Sequence, residues 1–331
     1  FLHIAMNKLK KLRKKMQNSG VILLNKPVKI SSNSAVNKVK YLIGAKKAGH
    51  LGTLDPLANG VLPVTFGKAT RLFDFFLTKQ KTYKAVFVFG FETDTLDSEG
   101  KVINLKKSEI SELDINQILQ NFIGMVEQLP PQFSALKVNG KKAYDIARSG
   151  EKVTLQPRKI EIFDIKYKKI DDLTKIEELF NFFVSVNKDV NLNDNIDEIK
   201  SDFHKNLFEF EITCGAGTYI RSIVRDMAYK LNTFGTMASL TRIKCGDFDI
   251  NNCYTFEQIE NQSFKVLKTD EVVNLEKIEI TSEEGNKLIC GQLVKTEPFE
   301  NLKKLYSNGE FLGLASGKNG KLKIEVFLKE D

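Results

Sequence analysis

An α+β fold with a mixed, largely antiparallel sheet is the class that this sequence predicts, on three observations. Phe208, Phe210 and Ile212 alternate with Glu209, Glu211 and Thr213, the period-two pattern of a half-buried strand. Ala85-Val86-Phe87-Val88-Phe89 is apolar at every position, as in a central strand covered on both faces. Strand-like and helix-like segments then follow one another without the regular alternation of a nucleotide-binding or barrel fold.

Taken in order, Val21 to Leu24 reads as a buried strand. Ser32 or Asn33 can cap the helix that follows, with Val36, Val39 and Ile43 at helical spacing and Gly44 as its stop. A loop around Asp55 leads into a strand from Val61 to Phe66, and Tyr83 opens the central strand. Asp114 to Ile123 reads as an amphipathic helix; Ala143, Ile146 and Ala147 lie on a short one ended by Gly150. After the alternating strand, Cys214-Gly215-Ala216-Gly217 makes a tight turn. Ile220, Ile223, Val224, Met227 and Leu231 then share one helix face. The Asp-, Glu- and Asn-rich segment 171–206 reads as a surface insertion, helical around Leu173 to Val184, with neutral expansion as its expected origin. Past Val272, Gly285, Gly291, Gly313, Gly317 and Gly320 punctuate short strands. Three segments are therefore expected: a basic tail over 1–19, a main domain over 20–271, and a small β-rich domain over 272–331.

With 42% hydrophobic and 28% charged residues, the 331-residue chain has the composition of a globular protein rather than a disordered one. Its 50 Lys+Arg against 42 Asp+Glu leave a net charge of +8 and suit a polyanionic partner. Lys8, Lys10, Lys11, Arg13, Lys14 and Lys15 concentrate that charge, as a solvated tail or as an arm for RNA. Cys214, Cys245, Cys253 and Cys290 have no metal-binding or disulfide spacing, so no metal is expected and a cytoplasmic location is. No apolar run approaches the roughly 18 residues of a membrane span. Met6 is a candidate initiator, and the apolar start before the basic block reverses the order of a signal peptide.

The richest stretch is Gly49-His50-Leu51-Gly52-Thr53-Leu54-Asp55-Pro56-Leu57-Ala58-Asn59-Gly60. Glycines on both sides permit unusual dihedrals, and Pro56 biases Asp55 towards extended backbone, so a carboxylate is held on a stiff turn near a histidine. The dodecamer resembles the catalytic motif of the TruB family of bacterial tRNA pseudouridine-55 synthases. Four further segments are similar to family motifs and stand in family order: Gly20 to Pro27, Lys81-Thr82-Tyr83-Lys84, Pro130 to Lys137, and Gly217-Thr218-Tyr219-Ile220-Arg221-Ser222. Asn25, Leu51 and Thr53 depart from the family pattern without removing a group that the reaction needs. Phe311-Leu312-Gly313-Leu314-Ala315 looks more loosely like the signature strand of a PUA domain, an RNA-binding barrel.

The resemblance implies the pseudouridine-synthase fold with a PUA-like C-terminal domain, and isomerisation of uridine 55 in the T-loop of tRNA. It implies Asp55 as the essential carboxylate, Arg221 as the guanidinium paired with it, and Tyr83 as the aromatic that stacks on the base and helps remove the C5 proton. His50, Tyr219 and Lys26 are implied to serve substrate binding. Breaking N1–C1′ and joining C5 to C1′ involves no redox change, so no cofactor is expected. Asp55 either attacks C1′ or removes a proton from C2′; the residues leave both open. The base must first be flipped from its stack. The T-arm of tRNA is the expected partner, with no membrane, no obligate protein partner and a monomeric enzyme. A non-catalytic RNA-binding protein and an RNA N-glycosidase are the competing classes; intact Asp55, Tyr83 and Arg221 argue against the first, and absence of released uracil would exclude the second.

Overall fold

Gly20–Lys26 forms the first strand, β1, and the helix after it, α1, spans Ser32–Ile43. In the computed structural model, residues 18–134, 136–138, 140–143, 146, 154–187 and 195–329 are described. The basic block at residues 8–15 and the expected helix end at Gly150 lie outside them. The chain continues through β2 (Ala48–His50), β3 (Asn59–Phe66), α2 (Phe73–Leu77), β4 (Lys81–Phe89), β5 (Phe91–Thr93) and β6 (Val102–Leu105). Next come α3 (Glu112–Leu119), β7 (Gly124–Gln128), β8 (Lys137–Val138), β9 (Lys141–Lys142) and β10 (Arg158–Lys169). Then follow α4 (Leu173–Val186), α5 (Ile196–Lys205), β11 (Leu207–Cys214), α6 (Ile220–Lys230), β12 (Gly235–Cys245) and β13 (Phe248–Asp249). The last elements are α7 (Phe256–Glu260), β14 (Lys277–Ile280), α8 (Ser282–Ile289), β15 (Val294–Lys295), β16 (Phe299–Ser307), β17 (Glu310–Lys318) and β18 (Lys321–Phe327).

The described residues divide into two compact units: 18–56, 60–77 and 248–329 in one, 57–59 and the rest of 78–247 in the other. In the first, β1 runs antiparallel to β3, from Gly20 opposite Phe66 to Lys26 opposite Gly60. The short β2 lies on β3 with His50 opposite Val64. The cap of α1 differs from expectation by one residue. Ser31, in extended backbone, accepts from the Ser34 amide at 3.1 Å, while Ser32 turns inward to a different task. Gly44 ends the helix in the left-handed region at φ 69°, the geometry of a helix stop.

The same unit carries a five-stranded sheet in the order β14-β16-β17-β18-β15, parallel between β14 and β16 and otherwise antiparallel. Val294, Leu305, Leu312, Ala315 and Leu322 make its small core. The end of this sheet is tied to residues 67–72, where Lys68 Nζ donates to the Lys329 carbonyl at 2.7 Å and Arg71 Nη1 to that of Phe327 at 2.9 Å.

The second unit is an antiparallel sheet in the order β12-β4-β11-β10-β7. β4 is an interior strand, paired with β12 on one side and β11 on the other, as its apolar sequence requires. Alternation puts Tyr83, Ala85, Phe87 and Phe89 on one face and Val86 and Val88 on the other. Helix α6 covers the first face: a Cβ on Gly235 would come within 3.2 Å of Ala228, Val224 and the Phe89 ring. The second face is covered by the insertion. Ile176, Phe180 and Phe183 of α4 and Ile199 and Phe203 of α5 join Val86, Val88, Phe91 and Leu207 in one core. The segment expected as a surface insertion thus supplies a structural layer. Its described acidic residues other than the buried Asp202 are exposed or half-buried, while its phenylalanines recur at helical spacing and bury one stripe of each helix. The expected helix near residue 114 starts at Glu112, because Ser111 and Asp114 form a reciprocal capping box before it.

Candidate active site

Three of the expected site residues belong to the first unit. The loop after β2 turns at Gly52, whose φ of 119° suits glycine. Ser32 then holds Leu54 twice: its hydroxyl accepts from the Leu54 amide at 2.8 Å and donates to the Leu54 carbonyl at 2.8 Å. With Leu51 and Leu54 buried, the half-buried Asp55 is presented from a loop anchored directly before it. After it, the Pro56 carbonyl accepts from the Lys29 amide at 2.8 Å.

Lys26 has no exposed surface, and its ammonium donates to the carbonyls of Pro27 at 2.9 Å, Ile30 at 2.8 Å and Pro56 at 3.5 Å. A buried charge is tolerable only with such partners. Lys26 therefore staples the turn after β1 to the residue following Asp55, a supporting position. His50 is half-buried on β2, close in sequence to the same loop.

The second unit holds the other three. The turn after β11 uses Gly217 at φ 79°, and Tyr219 stands just before α6 in extended backbone with no side-chain cap of its own. Gln128, from the end of β7, holds the backbone of Tyr219 instead: its Oε1 accepts from the Tyr219 amide at 2.8 Å and its Nε2 donates to the Tyr219 carbonyl at 3.1 Å. Ser222 and Arg225 add hydrogen bonds to the Leu129 carbonyl at 2.9 and 2.8 Å.

Arg221 sits in the first turn of α6, where positive charge is locally unfavourable, yet it is buried. Its Nη1 donates to the Thr95 carbonyl and its Nη2 to that of Phe133, both at 3.1 Å. Nη1 also lies 3.5 Å from Asp97 Oδ2, with both side chains more than nine-tenths buried. Asp97 is oriented in turn, its Oδ1 accepting from the Thr95 hydroxyl at 2.6 Å and the Glu99 amide at 3.0 Å. Between them Leu96 adopts φ 65°, an unusual conformation for a γ-branched residue, and is held by the Met237 amide on its carbonyl at 3.1 Å.

Tyr83 is half-buried on β4, opposite Ile212 on one neighbour and Arg242 on the other. Burial pushes its phenol up to about 12, partly offset by the charge and hydrogen bond of Arg242. Burial lowers the pKa of Lys81, two residues earlier, and pushes the Cys214 thiol up to about 11. Sequence reasoning missed two residues here. Asp97 is one of several acids in Glu92 to Gly100, and nothing local distinguishes it. Arg242 left a faint signal, as a cation within the largely buried β12. Among the described residues, no group of three or more His, Cys, Asp or Glu could hold a metal ion. No helix among them is long and apolar enough to cross a membrane.

This architecture is that of the pseudouridine synthases. The archaeal box H/ACA sRNP Nop10-Cbf5 complex matches it with a TM-score of 0.62 at 20% identity, over 94% of this chain and 87% of that one. An H/ACA RNP bound to a substrate RNA containing 2′-deoxyuridine matches with 0.63 at 19% identity, over 98% and 88%. In sequence, residues 40–192 match the TruB family pseudouridylate synthase (N terminal domain). The tRNA pseudouridine synthase B of Caldanaerobacter subterraneus subsp. tengcongensis is 34% identical over 312 residues, 93% of this chain and 98% of the relative. That of Aquifex aeolicus is 33% identical over 309 residues, 92% and 97% of the two chains. The chain belongs to the TruB family of pseudouridylate synthases, and is an enzyme of the isomerase class.

Proposed function

We propose that this enzyme converts uridine 55 in the T-loop of tRNA to pseudouridine after flipping the base out of the loop. The observation that carries this reading is near-full-length similarity to relatives named tRNA pseudouridine synthase B, 34% identical over 93% of the chain in one case. Asp55 supplies the carboxylate at the ribose, either attacking C1′ or taking a proton from C2′. Arg221 is the cation that serves this carboxylate, with its direction set by two carbonyls and Asp97. Tyr83 stacks on the base and takes part in loss of the C5 proton. Tyr219 and His50 contact the flipped nucleotide and its backbone, and Lys26 stiffens the loop of Asp55.

The excess positive charge supports phosphate binding across the surface. The β-rich sheet over 277–327 is read as a PUA-like module reaching RNA beyond the T-loop. The enzyme acts as a cytoplasmic monomer without an obligate protein partner.

The test is incubation with unmodified tRNA and base-resolved mapping of pseudouridine. Wild-type protein modifies position 55 alone in the T-loop and releases no uracil; free uracil, or modification elsewhere, overturns the reading. Asp55→Asn and Asp55→Ala abolish turnover while tRNA binding stays within about tenfold, because affinity comes from spread phosphate and shape contacts. Residual turnover above a few per cent would remove Asp55 from its role.

A further inference from the structure

The face of β4 that carries Tyr83 changes character along its length. Ala85, Phe87 and Phe89 are fully buried beside Phe208, Phe210 and Ile212 of β11, and the Phe87 and Phe210 rings lie 4.7 Å apart. At Tyr83 the apolar lining stops. Its cross-strand partner on β12 is Arg242, only 1% exposed and among the largest fully buried side chains of the described residues. Two residues on, Lys81 is buried between Cys214 on β11 and Cys245 on β12, its register partners. The strand geometry at this point is irregular: the β12 register shifts between Arg242 and Lys244. Such a bulge re-aims the side chain beside it.

Arg242 and Tyr83 are direct cross-strand partners, so their side chains leave the sheet on the same face, and a guanidinium, which has donors only, can meet a phenol there only by donating to its oxygen. Such a donor would commit one lone pair of the oxygen and orient the ring, and the positive charge of Arg242 opposes the rise that burial imposes on the phenol. Burying an arginine in a strand is expensive without a purpose, since an apolar residue would pack the same space more cheaply. The charge also acts in the direction that the chemistry needs, because it favours the state in which the oxygen holds less of its proton.

We propose that Arg242 is a positioning residue for the isomerisation, its buried guanidinium orienting and polarising the hydroxyl of Tyr83. The inference rests on the role given above to Tyr83 in loss of the C5 proton. In this proposal Arg242 acts through the phenol of Tyr83. Arg242→Lys retains charge but loses the planar geometry that fits a strand partner, and Arg242→Met removes both.

The test is single-turnover pseudouridine formation in unmodified tRNA by wild type, Arg242→Lys, Arg242→Met, Tyr83→Phe and the Tyr83→Phe/Arg242→Met double variant. Thermal melting and tRNA binding are followed alongside. Arg242→Met slows wild-type turnover by about tenfold or more, Arg242→Lys recovers part of the rate, and in the Tyr83→Phe background the same change costs less than about threefold. A second readout is independent of turnover. With 3-fluorotyrosine at position 83, fluorine NMR follows the phenol's titration, and Arg242→Met moves it upwards by about half a unit or more. Full additivity with Tyr83→Phe, or an unmoved titration, overturns the inference. Wild-type protein that forms no pseudouridine in tRNA overturns the proposed function itself, and with it the role of Arg242, before any variant is compared.

Discussion

Arg221 Nη1 lies 3.5 Å from Asp97 Oδ2 inside the second unit, and neither side chain is more than 7% exposed. A pair this dry is held in one geometry by the groups around it, here the Thr95 hydroxyl, the Glu99 amide and two backbone carbonyls. Asp97→Asn keeps the shape and removes the charge that steadies the guanidinium. Turnover on tRNA should fall by tenfold or more, with tRNA affinity within about threefold. Single-turnover rates beside filter binding check this; an unchanged rate would make Asp97 a structural acid only.

Arg221→Lys should be far slower than wild type at saturating tRNA, not merely weaker in binding. The two Nη atoms reach different carbonyls, Thr95 and Phe133, and one ammonium cannot reproduce that planar fork. The expected pattern is a loss of kcat exceeding a hundredfold with KM little changed. Equal rates for Lys and Arg would reduce the requirement to charge alone.

Asp202 gives the insertion a pH-dependent contribution to stability. The residue is 5% exposed, and its carboxyl packs against Gly90 and accepts from Asn206 Nδ2 at 3.0 Å. Burial raises its pKa to about 7; Glu198 adds to the rise, while the Asn206 hydrogen bond and Lys205 oppose it. The folded form thus keeps a proton that the unfolded chain releases near pH 4. The contribution is complete below that pH, declines as pH rises, and is lost once pH passes about 7. Asp202→Asn should therefore be more stable than wild type at pH 8 by about 1–3 kcal/mol, with the difference shrinking towards pH 4. Urea denaturation at several pH values measures it, and a pH-independent difference would contradict the assignment.

The strands that carry Tyr83 and the helix that carries Arg221 were legible because their signals are local. Five consecutive apolar residues mark a strand covered on both faces, and helical spacing from Ile220 to Met227 marks one buried helix stripe. The partners of those residues were not legible. Asp97 and Arg242 are brought in by contacts across 124 and 159 positions of sequence, which no periodicity encodes. The insertion misled for a related reason. Its acidic composition reports the outward face, whereas its role depends on where Phe180, Phe183 and Phe203 land. Ser32 was read as a helix cap because that is what serine before an apolar stripe usually does; the fold gives that work to Ser31 and uses Ser32 to hold Leu54.

Removal of the C-terminal sheet tests whether it serves RNA or the fold. Val272 and Val273 are buried, 5% and 1% exposed, so a cut before them would strip core residues, and the informative truncation falls after Leu275. That variant still loses the Phe327 and Lys329 carbonyls that receive Arg71 and Lys68, and with them the cover that Leu328 provides. Two such hydrogen bonds from charged donors and one leucine amount to about 3–6 kcal/mol of context-dependent stabilisation. The truncated protein should therefore melt lower, with faster amide exchange over residues 67–72. It should keep its single-turnover rate at saturating tRNA, since Asp55, Tyr83 and Arg221 all precede the cut. Affinity should fall and its salt dependence become shallower, because Lys318, Lys321 and Lys323 no longer reach phosphates. Unchanged affinity and salt slope, beside faster exchange at residues 67–72, would assign this sheet to support of the fold and not to RNA.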